Sequence, residues 1–193
     1  MAKFFLKKPK HVVDIPAQRN WIFGSMLVGS VLSLIASLVL SAEAVELAKN
    51  PDAVLACSIN AVINCATVNS HPSAFLFGFP NSFLGLIAEP VVITVAIAGL
   101  SGVVFPRLFM AVAQFFYTIG FLFALYLLGM SYFVIGALCP WCLLVTLTTT
   151  LVWFAITRYN ILENNLYLSK DWHKKLTSFV KNGYDTLIMW SFV

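Results

Sequence analysis

The chain has 193 residues, of which 60% are hydrophobic and only 10% are charged, and its mean hydropathy is +0.89. Soluble domains carry about 25% charged residues, so this composition excludes an ordinary soluble domain and indicates an integral membrane protein. The net charge of +4 is small, and membrane topology explains where its residues lie, so we predict no nucleic-acid partner.

Four hydrophobic segments each reach the roughly 20 residues that a membrane-spanning helix needs. In chain order they cover about residues 21–45, 83–105, 108–129 and 132–156. They predict an all-α membrane protein, a bundle of four transmembrane helices. We expect three regions: a cytoplasmic N-terminal segment at 1–20, a transmembrane domain at 21–158 with an outer loop at 47–82, and a cytoplasmic tail at 159–193.

The lysines and arginines lie almost all on one side of the predicted membrane. Five precede the first span, Arg107 joins the second and third spans, five follow the fourth, and only Lys49 falls on the other side. Since cytoplasmic loops carry an excess of Lys and Arg, we predict a cytoplasmic N-terminus and an extracytoplasmic outer loop in a multi-pass protein of the inner (plasma) membrane. The first span is too long for a cleavable signal peptide and is predicted to be an anchor.

All four cysteines fall on or near the outer side, in a compartment where disulfides persist. Cys57 and Cys65 lie in the outer loop, and Cys139 and Cys142 form a Cys-Pro-Trp-Cys motif about two turns into the predicted fourth span. Positions i and i+3 share a helix face, so the second pair can close a small disulfide and reopen it by thiolate attack. Spacing alone does not choose among the three pairings that four cysteines allow.

Three other roles compete with redox chemistry for these cysteines. A buried cysteine is often only a small hydrophobic residue. Structural zinc sites pair short CxxC-like knuckles, which the loop pair does not match, so we predict no metal. Two static disulfides would leave a structural membrane subunit without enzymatic activity. Two cysteine pairs at one membrane face favour a redox relay over these alternatives.

The order of these motifs resembles the vitamin K epoxide reductase family in its bacterial form. An outer-loop Cys-x7-Cys is followed by the segment from Phe79 to Gly85 (FPNSFLG) at the start of the second span and by a CxxC in the fourth. The resemblance covers about residues 20–165. It implies a four-helix bundle around a quinone site, with a fifth helix in many bacterial members, and an oxidoreductase that passes electrons from cysteine pairs to menaquinone or ubiquinone.

The resemblance also implies a role for each cysteine. Cys142 would engage the quinone, with Cys139 as its disulfide partner. Cys65 would shuttle between Cys57 and Cys139, and Cys57 would form the mixed disulfide with a separate thioredoxin-fold, DsbA-like protein on the outer side. Asn81 matches the family's asparagine that hydrogen-bonds a quinone carbonyl.

Other polar and aromatic residues complete the expected site. Ser70 or His71 falls near the family's loop serine, and His71 before Pro72 fits a surface turn as well as a proton donor. Glu89 lies about two turns into the second span, and such a carboxylate is costly enough to be a functional candidate, here a proton relay, unless it is a neutral hydrogen-bonding group between helices. Phe79 and Phe83 are expected to close over the quinone.

Thr146 stands where the vertebrate enzymes have a tyrosine, which weakens the case for epoxide reduction. The prediction is therefore a membrane thiol:quinone oxidoreductase that reoxidises its extracytoplasmic partner and supports disulfide formation. The alternatives are reduction of vitamin K epoxide or quinone proper, a DsbB-type oxidase, whose cysteine motifs come in the opposite order, and the disulfide-stapled subunit.

The C-terminal segment is mixed in character. Residues 160–183 are basic and fit an amphipathic stretch in contact with membrane lipid. Residues 186–193 begin an apolar run that is far too short to span a bilayer. We predict either the start of a fifth helix that is truncated at the C-terminus, or an anchor on the membrane surface.

Overall fold

The computed structural model describes residues 16–192, so most of the basic segment predicted at 1–20 lies outside the described residues. The described part of the chain is helical, and four of its helices are long and apolar enough to cross a membrane. The predicted all-α bundle with four spans is therefore confirmed.

Seven α-helices follow one another in the described chain. They are α1 (Pro16–Lys49), α2 (Cys65–Ser70), α3 (Ser82–Leu100), α4 (Arg107–Gly129), α5 (Pro140–Leu162), α6 (Lys170–Lys181) and α7 (Tyr184–Phe192). A 3-10 turn at Pro72–Phe75 separates α2 from α3, and a π-helical segment at Met130–Ile135 extends α4. The four spanning helices are α1, α3, α4 and α5.

The span ends differ from the predicted ones where backbone geometry interrupts an apolar run. The second span stops at Leu100, because the chain turns through Gly102, whose φ of +89° is a left-handed conformation that favours glycine. The fourth span does not begin near residue 132. Gly136, with a φ of +71°, ends the extension of α4, and Pro140 opens α5 at the first helical position, where proline costs no hydrogen bond.

Helix α1 lies at the centre of the bundle, packed against both α3 and α5, while α4 packs on α5. A buried stripe of serines on α1 allows the close approach: Ser30, Ser33, Ser37 and Ser41. On α3, a Cβ added at Gly99 would lie 2.4 Å from the ring of Phe23. Small residues at helix interfaces bring backbones together in membranes, where packing replaces the hydrophobic effect as the source of association.

Buried amides join α4 to α5 at the end of the bundle opposite the cysteines. Gln114 donates to Thr157 over 3.0 Å and accepts from the side chain of Asn160 over 3.1 Å. Asn160 is fully buried, and its Oδ1 accepts in turn from Asn165 over 2.9 Å. These bonds act as polar links between helices within an apolar environment.

Two short helices cover the same end of the bundle. Helix α6 is strongly amphipathic, as predicted for the stretch after the fourth span. Helix α7 is held to α5 by an ion pair between Arg158 Nη1 and Asp185 Oδ2, at 2.7 Å. At nine residues α7 is too short to span a bilayer, and both explanations of this segment stay predictions.

The glycine contact between α1 and α3 gives a stability test. We expect Gly99→Ala to destabilise the bundle by about 1–3 kcal/mol, because the added methyl group overlaps the buried ring of Phe23. Thermal unfolding of the purified protein in detergent measures the change. Gly120→Ala in α4 is the matched control, since its Cβ meets nothing within 4 Å. Equal stability of the two variants would contradict close packing at this contact.

Candidate functional site

The outer cysteine pair is a disulfide. Cys57 and Cys65 are bonded, with their Cα atoms 5.6 Å apart. Cys65 is the first residue of α2, whose N-terminus is capped by Asn64: its Oδ1 accepts from the backbone N–H of Thr67 over 3.1 Å. The cap fixes the end of the helix and thereby the position of the Cys65 sulfur.

The inner pair lies at the N-terminus of α5, and not two turns inside a span as the apolar run had predicted. Cys139 is the N-cap residue, Pro140 the first helical residue, and Cys142 lies in the first turn. Both sulfurs are free thiols, with Cys139 buried and Cys142 partly so. The depth prediction is wrong because hydropathy does not register the break at Gly136 that separates this motif from α4.

The position of Cys139 favours its charged form. A hydrogen bond from the Cys142 thiol lowers the pKa of the Cys139 thiol below its usual value, and the backbone N–H groups of Trp141 and Cys142 act in the same direction. Burial and the negative charge of Glu43 oppose this effect without reversing it. Thiols at helix N-termini are commonly activated in this way, and the thiolate is the nucleophile in disulfide exchange.

A two-strand backbone contact brings the two pairs together. Ile63 and Leu138 form a parallel bridge, in which the N–H of Leu138 donates to Val62 O over 2.7 Å. The N–H of Asn64 donates to Leu138 O over 3.0 Å. Cys65 and Cys139 come one or two residues after this bridge. Cys57, Cys65 and Cys139 are buried in one cluster, and the partly buried Cys142 packs against it.

An apolar cavity of about 560 Å³ opens between the four spanning helices next to the inner pair. Cys139 and Cys142 form part of its wall, together with mainly aliphatic and aromatic side chains of α3, α4 and α5. A few polar side chains interrupt this lining, among them Asn81 and Glu89. An apolar cavity with a small number of polar groups and a reactive residue is the usual form of a small-molecule site.

Asn81 precedes α3 and lines the cavity, as its predicted role requires. Its Nδ2 donates to the backbone oxygen of Ser73 over 2.7 Å, which fixes the orientation of the amide. Its Oδ1 is buried and has no partner within the described chain. Since a buried acceptor without a partner is costly, this atom is available to a bound molecule.

Glu89 is buried in α3 and also lines the cavity. Ser33 of α1 donates to its Oε1 over 2.9 Å. Its Oε2 is buried and makes no hydrogen bond with the residues that the structure describes. Oε1 therefore makes the predicted hydrogen bond between helices, and Oε2 is the oxygen available for proton exchange. The proton-relay role stays a prediction.

The other predicted residues lie outside the cavity wall. His71 caps the 3-10 turn, where its Nδ1 accepts from the N–H of Ser73 over 3.2 Å, and Ser70 is exposed at the end of α2. Phe79 stacks with Phe83, their ring centroids 6.3 Å apart, and neither reaches the cavity. The structure thus places Cys139, Cys142, Asn81 and Glu89 in one cavity wall, with the outer disulfide packed against the inner pair, and it places none of Ser70, His71, Phe79 and Phe83 in that wall.

Sequence reasoning missed several polar residues at the site, among them Ser73, Asn69 and Glu43. Ser73 and Asn69 line the cavity, and Glu43 contacts the outer disulfide. Glu43 had a signal, since it is an acidic residue near the end of an apolar span. No sequence signal marks Ser73 or Asn69, because it is the path of the loop over the helix ends that brings them to the cavity.

A family-wide sequence profile, that of the vitamin K epoxide reductase family, matches residues 25–157, which is more than half of the chain. Among individually curated proteins, none matches at a significant level. The matched region includes both cysteine pairs, Asn81 and Glu89, and of these residues Cys139, Cys142, Asn81 and Glu89 line the cavity. The chain therefore belongs to the vitamin K epoxide reductase family and is a membrane oxidoreductase that works with cysteine pairs.

Proposed function

We propose that this protein is a thiol:quinone oxidoreductase that oxidises a thioredoxin-fold partner and delivers the electrons to a membrane quinone, so that disulfides form in exported proteins. One observation carries the proposal. The outer disulfide, Cys57–Cys65, is tied by a backbone bridge to an inner dithiol that lines an apolar cavity. A relay needs this arrangement, because one pair must meet a protein in water and the other a lipid-soluble acceptor.

The cavity fits a quinone, which members of this family generally use. Its volume of about 560 Å³ and its apolar lining suit an aromatic ring with a lipid tail. Asn81 offers a buried acceptor and a second amide N–H, so it can bind either an oxidised carbonyl or a reduced hydroxyl group. When bound, the quinone supplies an acceptor for two electrons.

The outer pair takes the electrons from the partner protein. Cys57 is 9% exposed and Cys65 is fully buried, so the partner's thiolate attacks the sulfur of Cys57. The Cys57–Cys65 bond breaks, and Cys65 leaves as a thiolate. A second thiolate of the partner then attacks the mixed disulfide, which releases Cys57 and leaves the partner oxidised.

The inner pair then receives these electrons in its disulfide form. The Cys65 thiolate attacks Cys139, the Cys139–Cys142 bond breaks, and Cys142 leaves and is protonated. Cys57 next attacks Cys65, which closes the outer disulfide and releases Cys139 as a thiolate. The environment of Cys139, whose pKa is lowered by the Cys142 thiol, makes it a good leaving group in this step.

Oxidation of the inner pair completes the cycle. Closing the Cys139–Cys142 disulfide would pass two electrons to the bound quinone and release the proton of Cys142, with Cys139 as the thiolate that forms the new sulfur–sulfur bond. Glu89 exchanges protons in the cavity through Oε2, while Ser33 holds its other oxygen. The acceptor needs two protons with the two electrons, and a buried carboxyl beside the cavity is suited to pass them.

Charge and exposure support the proposed orientation and docking site. The described lysines and arginines other than Lys49 lie toward the end of the bundle away from the cysteines, and this end is proposed to face the cytoplasm. The cysteine end then faces the extracytoplasmic side of the plasma membrane. A separate DsbA-like protein of thioredoxin fold would dock there at Cys57.

Thiol oxidation is favoured over epoxide reduction by Thr146. This residue lines the cavity in place of the tyrosine of the vertebrate enzymes, and its hydroxyl donates to the backbone oxygen of Cys142 over 2.9 Å. That short, internally bonded side chain does not extend into the cavity as a phenol does. A purely structural role is disfavoured because the inner pair is a free dithiol, which staples nothing.

The terminal step is tested with Cys142→Ser. Wild-type protein prereduced in both cysteine pairs is expected to reduce two equivalents of a soluble quinone analogue, one in the single turnover of the inner pair and a second after the outer pair reduces it again; both are followed by absorbance. The variant cannot close the inner disulfide, so quinol formation should fall to the background rate. Cys57→Ser is the matched control: it should retain the single turnover and lose repeated turnover with a dithiol. Wild-type quinol formation by Cys142→Ser would contradict the proposal.

The binding role of Asn81 predicts a change in KM. Asn81→Ala removes one hydrogen bond to the quinone, so KM should rise by up to about tenfold, with a smaller effect on kcat. Steady-state quinone reduction with dithiothreitol as the electron donor measures both constants. Asn20→Ala, at an exposed position of α1, is the control and should leave KM unchanged. An unchanged KM in Asn81→Ala would remove Asn81 from the quinone site.

The proton-relay role of Glu89 predicts a fall in kcat, in contrast to the rise in KM expected for Asn81→Ala. Glu89→Gln keeps the size of the side chain and an oxygen for Ser33, but it cannot exchange a proton, so kcat should fall by about a hundredfold at nearly constant KM. Ser33→Ala controls for the loss of the hydrogen bond alone and should cost much less. If Glu89→Gln and Ser33→Ala lower kcat equally, Glu89 only links the helices.

A further inference from the structure

The outer disulfide lies against a carboxylate that the electron path does not use. Glu43, in the last two turns of α1, is half-buried, and its Oε1 lies 3.1 Å from the Sγ of Cys57. Ligating atoms of Glu43, Cys57 and Cys65 all lie within 4.8 Å of one another. A disulfide sulfur carries no proton, so the contact becomes a hydrogen bond only when the disulfide opens and Cys57 becomes a thiol.

Asn69 holds this carboxyl group from its other side. The Nδ2 of Asn69 donates to the Oε2 of Glu43 over 3.5 Å, and Asn69 is buried in α2, the short helix that begins at Cys65. The carboxyl group is therefore positioned by the same element that positions the disulfide. The amide orients Glu43 without adding positive charge, and it leaves Oε1 facing the sulfur of Cys57.

The groups around Glu43 are cysteine sulfurs and a neutral amide, not cations. Within residues 16–192, no Lys or Arg forms an ion pair with Glu43. Cys57 and Cys65 lie beside the carboxyl group of Glu43. The inner pair is also close enough for the negative charge of Glu43 to disfavour the thiolate of Cys139. A carboxyl group whose partners are neutral can gain or lose a proton without leaving a buried cation unpaired.

We infer that Glu43 is the general acid and base of the outer cysteine pair. Glu43 takes a proton from Cys57 when Cys57 becomes a nucleophile, and it gives a proton to Cys57 when Cys57 becomes a leaving group. This role rests on the proposed relay. In the first direction the Cys57–Cys65 bond forms, the Cys65–Cys139 bond breaks, and Cys139 leaves with the electron pair. The proton of Cys57 moves to Glu43 Oε1.

The second direction is the release of the partner. The partner's second thiol gives its proton to Glu43 and attacks its own sulfur in the mixed disulfide. The bond between the partner and Cys57 breaks, and the departing sulfur of Cys57 takes the proton from Glu43. The partner leaves with a disulfide, and Cys57 is a thiol. The electron pair leaves with Cys57 and Glu43 returns to its carboxylate form; the proton that Glu43 later takes from Cys57 is released to water on the outer side before the next partner reacts.

The test uses dithiothreitol as the dithiol and full-length oxidised protein in detergent without quinone. Release of Cys57 from its mixed disulfide with dithiothreitol, the step in which Cys57 is the leaving group, is followed by acid quenching and maleimide labelling of Cys57, across about pH 5 to 9. The rate at each pH is divided by the thiolate fraction of dithiothreitol. For the wild type, the corrected rate should follow the titration of one group. For Glu43→Gln, it should be about tenfold to a hundredfold lower and independent of pH.

Two further variants separate proton exchange from structure. Glu46→Gln removes the same charge one turn further along α1, at an exposed position, and should behave as wild type. Glu43→Asp keeps a carboxyl group at a longer distance and should retain the titration at a lower rate, which covers the case of Glu43→Gln failing to fold. A corrected pH profile in Glu43→Gln that matches wild type would overturn the inference.

Failure of the inference differs from failure of the proposed function. If prereduced protein reduces the quinone analogue while Glu43→Gln keeps the wild-type pH profile, the relay stands and Glu43 only anchors Asn69. If dithiothreitol opens the disulfide through Glu43 but no quinol is ever formed, the proposed function fails and the acid–base role of Glu43 in thiol exchange remains.

Discussion

Two backbone hydrogen bonds, from Leu138 to Val62 and from Asn64 to Leu138, hold together the chain segments that carry the two cysteine pairs. Disulfide exchange requires the attacking sulfur to approach the bond it breaks closely, so side-chain packing alone would leave the relay loosely aligned. A backbone bridge fixes both segments at once. Each segment then passes into a helix, so Cys65 and Cys139 both lie at helix N-termini.

The membrane imposes the rest of the arrangement. In the proposed relay the lipid-soluble acceptor comes from the bilayer and the protein dithiol stays in water, so one pair has to line the cavity and the other has to face the loop side. Because α5 begins at Pro140, the inner pair lies at the helix end, near the outer disulfide, and still forms part of the cavity wall. A motif two turns inside a span would be too deep for Cys65 to reach.

Composition and spacing were sufficient to predict the four spans and the two cysteine pairs, and the cost of a carboxylate within a span singled out Glu89. Asn81 was predicted from the family resemblance alone. They were insufficient where the fold depends on local backbone geometry. The apolar run through residues 132–156 hides the break at Gly136, because hydropathy measures side chains and not φ. Phe79 and Phe83 are aromatic residues of the kind that line binding sites, yet they stack on each other outside the cavity wall.

Electrons and protons take different paths in such a protein. Sulfur–sulfur exchange moves electrons between the pairs, but each thiol that becomes a nucleophile must lose a proton to a nearby group. The bundle places one carboxyl group beside each end of the path: Glu43 at the outer disulfide and Glu89 at the cavity. Each is held by a neutral donor, Asn69 or Ser33, which orients one oxygen. In the proposed relay the other oxygen is left for exchange, and within residues 16–192 no lysine or arginine forms an ion pair with either carboxyl group.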